Sequence, residues 1–131
     1  MENLKLFTEK EKKQLLKKRK GELKFGEQIK YLSNFNNIYD AIANLDVDYV
    51  IFGICEDIGV YANHGKTGTH KAWEATLKIL LNIQSNTFTK ANRVLILGCL
   101  EYKNLQKITK LKPEKQTISK ARYLVETIDN D

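Results

Sequence analysis

A chain of 131 residues, 42% hydrophobic and 29% charged, is long enough to bury one core and has the make-up of a globular domain, which excludes a disordered or fibrous chain. No apolar run is long enough to cross a bilayer and the first twenty residues are charged, so no membrane partner and a cytoplasmic location are expected. The formal charge of +6 gathers at one end: residues 1–30 hold ten Lys or Arg against five Glu, residues 31–131 twelve against eleven acidic side chains. Such a stretch is ordinarily a solvated face, although it can attract phosphates or acidic partners. Without interleaved aromatics or a known motif it argues against nucleic acid. Cys55, Cys99, His64 and His70 show no CxxC or HxxxH spacing, so neither a zinc site nor a disulfide framework is indicated.

The elements predict one domain in two parts, a basic helical segment over 1–46 and a strand, loop, helix, strand, helix body over 47–131. Thr8 followed by Glu11 reads as a capping box, opening a helix that runs to about Arg19 with Leu15 and Leu16 as its apolar edge. Gly21 and Gly26 break the pattern around Leu23 and Phe25. Ile38, Ile42 and Leu45 then give a short helix over 37–45. Residues 47–54 are β-rich with little polar alternation in the second half, the pattern of a central strand covered on both faces. A glycine-punctuated loop over 55–69 leads to a helix over 70–83, with Trp73, Leu77, Leu80 and Leu81 on one side. Residues 82–90 read as a turn, 93–98 as a second buried strand, and 116–129 as a helix striped by Ile118, Ala121, Val125 and Ile128. This order predicts an α/β fold with a parallel sheet flanked by helices. Two strong strands make a thin sheet, so the chain reads as part of a larger doubly wound domain.

In open α/β sheets ligands bind at the carboxyl ends of the strands, where the glycine loop lies. Gly59 followed by Gly65-Lys66-Thr67 resembles a P-loop, but five residues separate the first glycine from the Gly-Lys pair where the phosphate cradle needs four. Gly53, Asp57-Ile58-Gly59 and Asn63-His64-Gly65-Lys66-Thr67-Gly68 occur instead in the order found in ureohydrolases of the arginase and formimidoylglutamase type. Thr69-His70-Lys71-Ala72-Trp73 and Leu81-Asn82-Ile83-Gln84-Ser85-Asn86 resemble the bacterial versions. Arg19-Lys20-Gly21-Glu22-Leu23-Lys24-Phe25-Gly26-Glu27 is similar to the segment ahead of the first strand in that branch. The resemblance covers nearly the whole chain and is most specific over residues 53–86.

The resemblance implies a partial three-layer doubly wound parallel sheet of arginase-like type, amino-terminal part only. It implies hydrolysis of an amidine or guanidine C–N bond, formimidoylglutamate first and arginine second, by water held between two Mn(II) ions. Asp57, Gly59, Gly65 and Gly68 would shape the active-site loop, and Asn63 and Lys66 would meet a substrate carboxylate. Lys66 stands where the family has Arg, and an ammonium cannot make the two-pronged contact of a guanidinium. Ala72-Trp73 replaces a Gly-Pro, removing a favoured first-turn proline.

The family's metal ligands come from Gly-Gly-x-His, Asp-Ala-His-x-Asp and Asp-x-Asp segments. The first two do not occur, and Asp46 and Asp48 precede their strand, at the end opposite the expected rim. The last helix resembles the one that leads to the first metal-binding strand. No catalytic or metal-ligating residue and no cofactor is therefore expected for this chain alone. Its expected partners are a small-molecule substrate in the full-length form and either the remainder of a ureohydrolase domain or further copies of itself. A non-catalytic binding or regulatory module derived from this fold is the alternative, with a P-loop-like nucleotide binder behind it. Cys55 and Cys99 read as small buried hydrophobes at their strand ends.

Overall fold

The computed structural model of the chain describes residues 2–130. Its elements are β1 (Leu4–Leu6), α1 (Glu9–Leu15), α2 (Phe25–Gln28), α3 (Ile38–Ala43), β2 (Tyr49–Cys55), α4 (Ile58–Ala62), α5 (Ala72–Leu80), β3 (Val94–Glu101) and α6 (Lys115–Asp129). The fold is mixed α/β: a three-stranded sheet in the order β1-β3-β2, accompanied by helices. No helix among the described residues is long and apolar enough to cross a membrane.

β2 and β3 pair in parallel, as the strand–helix–strand order predicts. The sheet as a whole is not parallel, because β1 runs antiparallel to β3. Three residues with one exposed lysine between two leucines carry too little periodicity to announce a strand, which is why β1 is absent from the sequence reading.

The central strand is β3, not the expected strand over 47–54. β3 is buried from Val94 to Cys99 and stands in the middle, whereas β2 is an edge strand. Phe52 is 50% and Ile54 55% exposed, so β2 is covered on one face only among the described residues. An apolar run states that its side chains favour burial; it does not state which strand supplies the neighbour.

The middle strand is shaped by one glycine. Register with β2 slips by one residue, from Ile51 opposite Ile96 to Phe52 opposite Gly98, leaving Leu97 as a bulge. Gly98 has φ +139°, and a Cβ there would lie 2.0 Å from the Lys5 carbonyl oxygen. Only glycine lets β1 approach at this point.

The Thr8 capping box forms as its sequence predicts. Glu11 N–H donates to Thr8 Oγ1 at 3.2 Å, and the Glu11 carboxylate accepts from Thr8 N–H at 3.0 Å. Asn37 Oδ1 accepts from Tyr39 and Asp40 N–H and starts α3. α1, however, ends at Leu15, short of Arg19. The Asn82 side chain takes over there, its amide donating to Leu15 O at 2.8 Å while its oxygen accepts from Lys17 N–H at 2.8 Å.

Two apolar clusters hold the chain together. One joins Phe7, Phe25, Ile29, Leu77 and Leu81 to Val94 and Ile96 of β3. The other joins Ile58, Tyr61 and Ala62 of α4 to Ile108 and to Ile118 and Ala121 of α6. Leu81, Ile96 and Ile58 are fully buried, and truncating such a side chain to alanine costs about 2–5 kcal/mol. The stripe read for 116–129 is thus the packing face of α6, with Val125 and Ile128 at its partly buried margin.

Candidate functional site

The chain leaves β2 at Cys55 and folds back on a single buried carboxylate. Asp57, 1% exposed, accepts four hydrogen bonds. Its Oδ1 receives the Thr69 hydroxyl at 2.5 Å and the His70 backbone N–H at 2.7 Å. Its Oδ2 receives the Gly68 N–H at 3.0 Å and lies 2.5 Å from His70 Nδ1. The Asp57 N–H in turn donates to Gln106 Oε1 at 3.0 Å, tying the end of β2 to the turn that follows β3.

Burial pushes the Asp57 carboxyl up, but hydrogen bonds from Thr69 and His70 and from the His70 and Gly68 amides outweigh it, holding its pKa at about 2. An ionised carboxylate has no proton to give, so the bond between them is donated by His70 Nδ1–H. Gly68 meets this geometry with φ +140°, a conformation that a side chain would strain.

His70 borders a cleft of about 530 Å³ at the carboxyl ends of the parallel pair, shared with Lys5, Cys55, Trp73, Cys99 and Glu101. Lys5 pairs with Glu101 at 3.5 Å and Lys103 pairs with it at 2.8 Å, so the carboxylate there is already neutralised. Burial, with the neighbouring Cys55 thiol, pushes the Cys99 pKa up to about 12, and burial raises Cys55 as well. Both thiols are protonated near neutral pH, which excludes a thiolate nucleophile paired with His70. Cys99 is buried, as its sequence position implies, while Cys55 is only half-buried.

Of the residues singled out in the sequence, Asp57 and Gly68 are brought into direct contact. Gly59 sits in the first turn of α4, its N–H donating to Glu56 Oε2 at 2.9 Å. Gly65 packs so close that a Cβ would meet Val60 Cγ1 at 2.7 Å. Asn63 and Lys66 are exposed and lie off the cleft lining; Asn63 Nδ2 donates to Gly59 O at 3.1 Å. The expected open loop over 55–69 contains α4, a helix too short to announce itself by periodicity. Gly59 thus lies inside a helix and not in an open glycine loop.

Sequence reasoning missed Thr69 and His70 as partners of Asp57. Their separation of twelve and thirteen residues matches no helical or strand period. Asp46 and Asp48 are occupied at the opposite end of β2, both ion-paired to Arg93. No group of three or more His, Cys, Asp or Glu side chains able to hold a metal ion occurs among the described residues. His70 Nδ1 is committed to Asp57 and His64 is exposed, so these residues do not fit a two-manganese centre. No protein-family model, no curated protein and no solved structure matches the chain.

Proposed function

We propose that the chain is the amino-terminal part of a ureohydrolase of the arginase and formimidoylglutamase type, with an arginase-like doubly wound sheet that continues beyond β2. In this reading the loop after β2 forms one side of the substrate rim. The metal pair and its ligands belong to segments outside these residues, and the chain alone does not catalyse. Formimidoylglutamate, cleaved to glutamate and formamide, is the first substrate and arginine the second.

The observation that carries the reading is the Asp57 lock, which pins Gly68, Thr69 and His70 at the carboxyl end of a strand paired in parallel, where an α/β sheet receives its ligand. Further support comes from the open edge of β2. The unpaired backbone edge of β2 is a liability that proteins normally cover, and the next strand of a longer sheet is its natural cover, while exposed Phe52 and Ile54 leave a face on which further helices could pack. Asn63 and Lys66, both exposed, are the residues proposed to meet the substrate carboxylate.

Two measurements test the two halves separately. Formamide and urea release by the isolated chain with added manganese is expected to stay at background; turnover would overturn the claim that it is inactive alone. The reading frame downstream of codon 131 is expected to continue into Gly-Gly-x-His and Asp-Ala-His-x-Asp. A stop codon followed by unrelated sequence would overturn the fragment reading.

A further inference from the structure

A second cavity, of about 520 Å³, lies away from the strand ends, between the exit of α1 and the end of α5. Its cationic lining is Lys17, Lys18, Arg19, Lys24 and Lys78, with Glu22 as its carboxylate. Three of these cations have acidic neighbours. Lys18 reaches Glu27 at 3.8 Å, Arg19 reaches Glu22 at 4.0 Å, and Lys78 pairs with Glu74 at 2.6 Å. Lys17 and Lys24 form no ion pair among the described residues.

Lys24 is the unusual member. It is only 6% exposed, and its Nζ donates to a neutral acceptor, Asn82 Oδ1, at 3.3 Å. Lysine is almost never this deeply buried without a charged partner, because removing an ammonium from water is costly unless an anion compensates. Asn82 cannot supply that charge, and its amide is saturated. The oxygen accepts from both Lys17 N–H and Lys24 Nζ, and the nitrogen donates to Leu15 O and Lys78 O. The backbone around Lys24 is fixed too, since Leu23 O accepts from Ser85 N–H at 2.7 Å and Phe25 N–H donates to Ile83 O at 2.9 Å. A deeply buried lysine, fixed by its backbone and by Asn82, thus lines a half-open cavity ringed by further cations.

We propose that this cavity binds a small, multiply charged phosphate-bearing anion. Lys24 is the buried anchor, and Lys17, Lys18, Arg19 and Lys78 supply the surrounding charge. A phosphate group offers several acceptor oxygens and more than one negative charge, which suits a set of ammonium donors. At about 520 Å³ the cavity is far smaller than a macromolecular footprint, so the ligand is a small molecule. The inference rests on the basic amino-terminal segment and is independent of the ureohydrolase reading.

The test is isothermal titration calorimetry of the full chain with inorganic pyrophosphate and, separately, ATP, at low and at raised salt. Saturable one-to-one binding that weakens with salt is expected. Lys24→Met should abolish it, and Lys17→Gln with Lys18→Gln, both at exposed positions, should weaken it by roughly tenfold or more. Equal affinity for the two ligands assigns recognition to the phosphates alone; ATP binding about tenfold tighter assigns it to a nucleotide. Absence of saturable binding by either ligand overturns the proposal, as does unchanged affinity in the double variant. Circular dichroism of Lys24→Met separates lost binding from lost folding, and the double variant decides the matter if that protein is unfolded.

Discussion

Replacing Asp57 with Asn keeps the size of the side chain and removes half of its accepting capacity. One of the two oxygens becomes an NH₂ group, which faces a pair of donors: either Thr69 Oγ1 and the His70 N–H, or the Gly68 N–H and His70 Nδ1. Each buried donor left unsatisfied costs about 1–3 kcal/mol, so the substitution should destabilise the fold by about 2–5 kcal/mol. Proton linkage gives an independent figure. Lowering the carboxyl from 3.8 to about 2 corresponds to about 2 kcal/mol of preference for the ionised form in the folded chain. The sign follows from the depressed folded-state value: this stability is complete above about pH 4 and is lost as pH falls toward 2. Urea unfolding of wild type and Asp57→Asn across that range is the assay. The difference between the two should be largest near neutral pH and shrink below about pH 4. A variant within about 0.5 kcal/mol of wild type at neutral pH, or a difference that does not depend on pH, would refute the role given to Asp57.

Gly98→Ala should strain φ and push β1 off the sheet, since the added Cβ would fall 2.0 Å from Lys5 O; a loss of about 2–4 kcal/mol and faster amide exchange at Leu4–Leu6 are expected. Gly53→Ala places a methyl 2.6 Å from the ring of Trp73, and because the chain has one tryptophan, a red-shifted emission should report the ring's displacement directly. Arg93→Gln removes the guanidinium whose hydrogen bond, despite partial desolvation, holds the Asp48 pKa down, so carboxyl chemical shifts should show Asp48 titrating closer to 3.8. Both thiols should alkylate slowly at neutral pH in the folded chain and at the ordinary thiol rate in urea; fast native labelling of Cys99 would contradict its pKa near 12.

What the sequence discloses is what depends on near neighbours in the chain. Thr8 with Glu11 and the α6 stripe of Ile118, Ala121 and Val125 each act within a few turns, and each forms as read. The failures share a cause, which is dependence on a distant residue. α1 ends early because Asn82, 67 residues away from Leu15, supplies its carboxyl-terminal hydrogen bonds. β2 is an edge and not the middle because β3 has taken β1 as its other neighbour, a pairing that three residues at the amino end cannot advertise. Asp57 shows itself as a turn former, yet its four donors lie eleven to thirteen residues further on, where no period connects them.

The four donors to Asp57 constrain any chemistry at the strand ends. A carboxylate held at about 2 by four donors stays ionised throughout the physiological range, so Asp57 cannot serve as a general acid there. Nor is it an available base, because both oxygens are already engaged and the side chain is 1% exposed. Its part is positional: it sets the path of the loop and the orientation of the His70 ring. In an assembled enzyme built on this chain, a pH–rate profile should therefore contain no limb belonging to Asp57. Replacing Asp57 should lower stability and disturb substrate binding before it alters the pH at which turnover is greatest.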